Sequence, residues 1–215
     1  MKKIAVVLAG SGVYDGAEIH EATLTLLAID RLGAQYQMFA PDIPQYHVVN
    51  HLTGEEMPES RNVLVEAARV ARGKIRPLSE YNAEFFDALI FPGGFGVAKN
   101  LCSFAFDGPS MKINEQVQYA VKETHRLRKP IGALCIAPVL IAGILRNIEV
   151  TIGTDQGTAQ AVESLGGKHK KTGHGEVVVD IENRIVSTPC YMLEASISQI
   201  AEGAENTVRA ILELA

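Results

Sequence analysis

With 215 residues, 47% of them hydrophobic, the chain has the material for one compact core, and a single domain over residues 1–215 is the expectation. Twenty Lys+Arg against 25 Asp+Glu leave a net charge of −5 without long single-sign runs, so the basic footprint that nucleic acid or an anionic membrane demands is missing. The longest uncharged stretch, 131–145, is too short to cross a bilayer, and three cysteines, an odd number, are too sparse for a disulfide scaffold and point to a reducing, cytoplasmic setting.

Ile4 to Leu8 is a β-branched apolar run that ends in Gly10-Ser-Gly-Val-Tyr-Asp-Gly16; this turn stands where a signal peptide would carry its cleavage site, so a buried first strand is expected. Glu18 to Arg31 places apolar residues at 19, 22, 26 and 29, the period of a helix. Gln35 to Phe39 reads as a strand before Pro41, and Asn62 to Arg72 as a helix ended by Gly73. Ala88 to Phe91 is a buried strand stopped by Pro92-Gly93-Gly94, and Glu115 to Leu127 is an amphipathic helix with basic residues in its last turn. The apolar strand Ile131 to Leu134 follows, then a helix from Ala137 to Leu145. Near the end, Glu176 to Ile181 and Arg184 to Thr188 flank Glu182-Asn183 as a small hairpin, before a final helix from Glu194 to Leu214. Alternating strands and helices, with strands apolar throughout, predict a doubly wound α/β fold around a mostly parallel sheet.

Ligands of such sheets sit beyond the carboxyl ends of the strands, so the residues after each strand carry the argument. Gly10 to Gly16 invites a dinucleotide reading, but its third glycine comes one residue late and Glu18 and Glu21 would meet the phosphates, which leaves a tight turn. Gly93 and Gly94 let the backbone turn sharply and offer N–H groups to the crevice. Cys135 stands at a strand-to-helix junction with small neighbours, the setting of a nucleophile elbow, where the helix dipole would lower the thiol pKa. Locally, a buried small hydrophobe remains an equal reading of that cysteine. Glu18 and Glu21 are three apart and share a helix face; they are either dipole-compensating charges or partners of the cysteine.

Gly-Ala-Glu-x-x-Glu (16–21), Phe-Pro-Gly-Gly (91–94) and Leu-Cys-Ile-Ala-Pro (134–138) together resemble the ThiJ/PfpI superfamily, relatives of the class I glutamine amidotransferases, over nearly the whole chain. Ser-Gly-Val-Tyr-Asp-Gly-Ala-Glu-Ile-His-Glu-Ala, Asn-His-Leu-Thr-Gly-Glu and Pro-Gly-Gly-Phe-Gly-Val-Ala-Lys-Asn-Leu are similar to its ElbB branch, described as glyoxalase or as an isoprenoid-biosynthesis protein with an amidotransferase-like domain. The resemblance implies a flavodoxin-like fold, a homodimer, Cys135 as nucleophile, Glu21 as the carboxyl contacting it, and the N–H groups of Gly94 and Ile136 as oxyanion donors, with Glu18, His20 and Gly93 in support. It also implies a glutathione-independent glyoxalase acting on small α-oxoaldehydes, glyoxal to glycolate, without metal or organic cofactor. Deglycation of early aldehyde adducts would use the same chemistry. A redox sensor or regulatory binding protein that oxidises Cys135 is the alternative from another class.

Histidine is where the pattern departs. The position after the cysteine, histidine in several relatives, is Ile136, and the one about twenty residues on is Asp155, so no Cys-His-acid triad is visible and amide hydrolysis lacks its general acid. His20 beside Glu21 is expected at the surface. His47 and His51 have the i, i+4 spacing of a metal pair, but no acid lies between them and Pro44 opposes a helix there. His125 and His174 fall at a helix end and in a loop. Cys102 is expected in the core, and Cys190 at the pocket edge, where it would be a resolving thiol for Cys135 or a bystander.

Overall fold

The computed structural model describes residues 1–215. Strands β1 (Lys3–Val7), β2 (Gln35–Ala40), β3 (Ile75–Pro77), β4 (Ala88–Phe91), β5 (Ile131–Leu134), β8 (Val178–Asp180) and β9 (Ile185–Thr188) form one sheet in the order β3-β2-β1-β4-β5-β9-β8. Every pairing is parallel except β8 with β9, the late hairpin. Strand order reverses between β1 and β4, which opens the crevice at that edge.

Both faces are covered, as the apolar strands require. Along β1 and β4, alternate residues point to opposite sides: Ala5, Val7, Leu89 and Phe91 enter one core, and Ile4, Val6, Ala88 and Ile90 the other. The first core is closed by α4 (Glu115–Arg126) and α5 (Ala137–Leu145) through Val117, Ala120, Val121, Leu140 and Ile141. The second is closed by α1 (Ile19–Arg31), α2 (Val63–Val70) and α7 (Ile197–Leu214) through Ala22, Ile29, Ala67, Val208 and Ile211.

Gly132 shows how tightly α7 sits. A Cβ there would run into Ile211 Cδ1 and come within 2.9 Å of Ile90 Cγ1, both inside the core. Gly132→Ala is therefore expected to cost about 2 kcal/mol by overpacking, read as a lower urea midpoint with an unchanged slope.

Helix starts are set by side-chain caps at nearly the predicted places. Glu18 accepts from the Glu21 N–H at the start of α1, and Asn62 from the Val65 N–H at the start of α2. The final helix begins three residues later than its periodicity suggests, because Ser196 and Gln199 form a reciprocal capping box. Between β5 and β8 the chain makes an unpredicted excursion: β6 (Glu149–Val150) pairs in parallel with β7 (Lys168–His169) around α6 (Gln156–Ser164). Strands of two residues leave no periodicity to read. Asp155 caps α6 and brings it to the same end of the sheet as Cys135. The short helix α3 (Phe104–Asp107) and a wide turn over Val97–Leu101 follow the Pro-Gly-Gly loop and were likewise not legible.

Candidate active site

Cys135 follows β5 directly and precedes α5, at a φ of 59°. A non-glycine residue in this left-handed region costs on the order of 1 kcal/mol, and such strain persists only where the surroundings hold it. They do so here: the Cys135 N–H donates to the Thr188 carbonyl at 2.9 Å, tying the elbow to the end of β9. The side chain is only 7% exposed but lines an open cavity.

Glu21 is fully buried one turn into α1. Its Oε2 accepts from the Gly93 N–H at 2.8 Å and its Oε1 from the Tyr191 N–H at 3.2 Å, while the Cys135 thiol lies beside the carboxyl across Gly93. Three segments thus converge on one carboxyl. Gly93 allows the approach: a Cβ there would lie 2.6 Å from Glu21 Oε2 and 3.0 Å from Cys135 Sγ. Gly94, at φ 101°, lies against the backbone of Gly16 and Glu18, and the Glu18 N–H donates to the Gly93 carbonyl at 2.9 Å. The glycines of the first loop serve this backbone packing, which is the tight-turn reading of Gly10–Gly16.

Burial raises the Glu21 pKa to about 7, with the Glu18 carboxylate adding to the rise. Burial also pushes the Cys135 thiol up, and the charge of Glu21 pushes it further, against the N–H groups of Gly94 and Ile136, which reach the sulfur and favour the thiolate. The expectation that the helix dipole lowers this pKa is therefore corrected: removal from water outweighs it in the resting state. The two acids repel each other as anions, and because the thiol is pushed further up than the carboxyl, a single proton rests on the sulfur. Transfer of that proton to Glu21 would leave the charge on the sulfur, where the Gly94 and Ile136 N–H groups favour it.

The residues expected in support lie as follows. Glu18 is 8% exposed, caps α1 through its 2.7 Å bond from the Glu21 N–H, and lines the cavity. His20 is exposed and lies 2.8 Å from the Tyr191 hydroxyl, away from the sulfur's direct partners. Cys190 is buried against Gly203 of α7, and at φ 43° it turns the chain so that the next N–H reaches Glu21. Cys102 is in the core, its Sγ 3.3 Å from the Val97 carbonyl oxygen. His47 and His51 turn to different acids, Glu56 and Asp15, each at 3.8 Å. His51 also accepts from the Tyr14 N–H at 3.2 Å, and Asp15 accepts from the Val49 N–H at 2.8 Å. These contacts hold the 41–62 loop to the first loop. His125 sits in the last turn of α4 and His174 in a loop, as expected.

Sequence reasoning missed the rest of the wall. Phe95, Phe104 and Met192 join Val13, Ala98 and Ile136 around a cavity of about 400 Å³, with Tyr191, Thr158, Glu18 and Asp155 as its polar members. Asp155 caps α6 by accepting from the Thr158 N–H at 2.7 Å, and hydrogen bonds from Thr158 hold its carboxyl below its usual pKa. The Asp-x-x-Thr spacing was the one available signal for this helix start.

No family model matches the chain. It is 49% identical over 222 residues to the rat "ES1 protein homolog, mitochondrial", covering 99% of this chain and 84% of that protein. It is 50% identical to the human "Glutamine amidotransferase-like class 1 domain-containing protein 3, mitochondrial", covering 99% and 83%. Among solved structures, an isoprenoid biosynthesis protein with an amidotransferase-like domain from Ehrlichia chaffeensis superposes with a TM-score of 0.94 at 37% identity, covering 100% of this chain and 99% of that one. Glyoxalase III from Candida albicans superposes at 0.63 with 14% identity, over 97% of each chain, a likeness of fold alone. The cytoplasmic expectation is overturned, since the relatives' names point to mitochondria. Three unpaired cysteines do not say which compartment the protein occupies. Sequence identity over nearly the full chain, and a flavodoxin-like sheet that superposes throughout, place the chain in the glutamine amidotransferase-like, or ES1, family.

Proposed function

We propose that the protein is a glutathione-independent glyoxalase in which Cys135 and Glu21 convert a small α-oxoaldehyde, such as glyoxal, to the corresponding hydroxy acid. The observation that carries this reading is the buried Glu21 carboxyl, with a pKa raised to about 7, in contact with a thiol that faces an open cavity. Glu21 takes the thiol proton as the sulfur adds to one aldehyde carbon, forming the C–S bond of a hemithioacetal. The oxygen that gains the electron pair forms beside the N–H groups of Gly94 and Ile136 and then takes a proton. Loss of the C–H proton to Glu21 yields an enediolate, which reprotonates at the neighbouring carbon to a hydroxyacyl thioester. Water cleaves the thioester, so glyoxal plus water becomes glycolate, and one carbon is oxidised as the other is reduced.

A carboxyl with a pKa near the working pH is suited to give and take protons in each step. An amide substrate would also require an acid for its leaving amine, and the residue after the cysteine, Ile136, has none to give. Proton NMR of wild-type protein with glyoxal, EDTA and no glutathione is expected to show stoichiometric glycolate. In D2O, deuterium is expected at its methylene carbon through the enediolate. Glycolate formation no faster than in buffer would overturn the reading.

A further inference from the structure

The reacting part of glyoxal occupies a small fraction of the cavity above Cys135. A space of ~150 Å³ holds a six-carbon ring, and this one is about 400 Å³, walled by Val13, Phe95, Ala98, Phe104 and Met192. Its two charged wall residues, Glu18 and Asp155, are both acids. Lys99 is not part of the wall: its ammonium donates to the Tyr14 carbonyl at 2.9 Å and lies 5.5 Å from the centroid of the Phe95 ring. An apolar chamber edged by carboxylates rewards buried hydrocarbon and repels anions, most strongly at the buried Glu18, while Asp155 adds its charge from the exposed rim.

We propose that the cavity selects uncharged carbonyl compounds bearing an apolar arm of roughly six to eight carbon atoms, and rejects those carrying a carboxylate or phosphate. As a substrate class this rests on the glyoxalase reading; as a property of the chamber it stands on the wall residues. The Asp155 charge is secured by the Thr158 hydrogen bonds, and the Glu18 carboxylate is held in place by its cap on α1. For an aryl oxoaldehyde, the ring would lie against Phe104 and Met192 with the aldehyde carbon at Sγ.

Two measurements separate the chamber from the chemistry. In the first, Cys135 is alkylated with N-benzyl-iodoacetamide, iodoacetamide or iodoacetate, the Sγ–C bond forming as iodide leaves. Peptide mass spectrometry gives each rate, which is divided by that of N-acetylcysteine under the same conditions. The expected normalised rates are at least tenfold higher for the benzyl reagent than for iodoacetamide, and at least tenfold lower for iodoacetate. Equal rates, or iodoacetate reacting fastest, would overturn the proposal. In Asp155→Asn, where asparagine caps the helix as well as aspartate does, the iodoacetate-to-iodoacetamide ratio is expected to rise at least threefold. An unmoved ratio would overturn the role given to that charge. In the second, kcat/KM for phenylglyoxal is expected to exceed that for glyoxal at least tenfold. The predicted alkylation ranking without any glyoxal turnover sinks the glyoxalase reading and leaves the chamber's selectivity standing, whereas Cys135-dependent turnover with a flat ranking does the reverse.

Discussion

With Cys135 replaced by alanine, glyoxal turnover is expected to fall at least about a thousandfold, to the background of the buffer, while the protein keeps its fold. No second thiol can stand in. Cys102 faces the Val97 carbonyl in the core, and Cys190 is packed against α7 with its thiol pushed well up by burial. The Glu21 carboxyl and the two N–H groups survive the substitution, so what remains measures them without the nucleophile. Serine at the same position is expected to be as inactive as alanine. A carboxyl with a pKa of about 7 can take a proton from a thiol, but it is far too weak a base to deprotonate an alcohol. Fold integrity is checked by the urea midpoint, because alanine keeps the left-handed backbone at φ 59° and removes only the sulfur. Turnover within tenfold of wild type in the alanine variant would end the nucleophile assignment.

The second large effect joins stability to pH through Glu21. Its native pKa of about 7 lies above the 4.5 of an exposed glutamate, first because of burial and next because of the Glu18 charge. A carboxyl raised in this way stabilises the native state fully below pH 4.5, and that contribution is lost as pH rises through 7, where burial must hold a charge. A rise from 4.5 to about 7 corresponds to about 3 kcal/mol. In urea titrations between pH 4.5 and 8.5, wild type is therefore expected to lose about 3 kcal/mol relative to Glu21→Gln, because glutamine cannot ionise. At low pH the ordering is expected to reverse: glutamine has one oxygen for two N–H donors, Gly93 and Tyr191, and leaves one facing its amide. Turnover in the variant is expected to fall at least about a hundredfold at every pH, since no proton can be passed. A stability difference that does not change with pH would mean that Glu21 is ionised throughout.

How far the fold could be read depended on element length. Strands such as Ile4–Leu8 and Ala88–Phe91 are apolar runs long enough to identify, and helices such as 115–127 show a full amphipathic period, so alternation and a parallel sheet followed. Two-residue β6 and β7 and four-residue α3 have no period, and tertiary contacts alone create them: Thr151 N–H to Ser187 Oγ at 2.9 Å and Glu149 N–H to Asp180 Oδ2 at 2.8 Å hold the excursion to the sheet.

At the site, the sequence by itself determined the residue types and their places relative to the strands: a cysteine at the β5–α5 junction, two glycines after β4, and a glutamate one turn into the first helix. Their meeting was decided only in three dimensions. Glu21 is 72 residues from Gly93 and 170 from Tyr191, and no local pattern states that both backbones donate to it. The thiol pKa depended on the same packing. The dipole argument needs only the local elbow, whereas desolvation and the Glu21 charge come from the segments that close over it, and they push the other way. The acidic, aromatic chamber also had no signal in the sequence. It is built from the segments that follow β1, β4, β5 and β9 at one edge of the sheet, together with the start of α6 from the β6–β7 excursion.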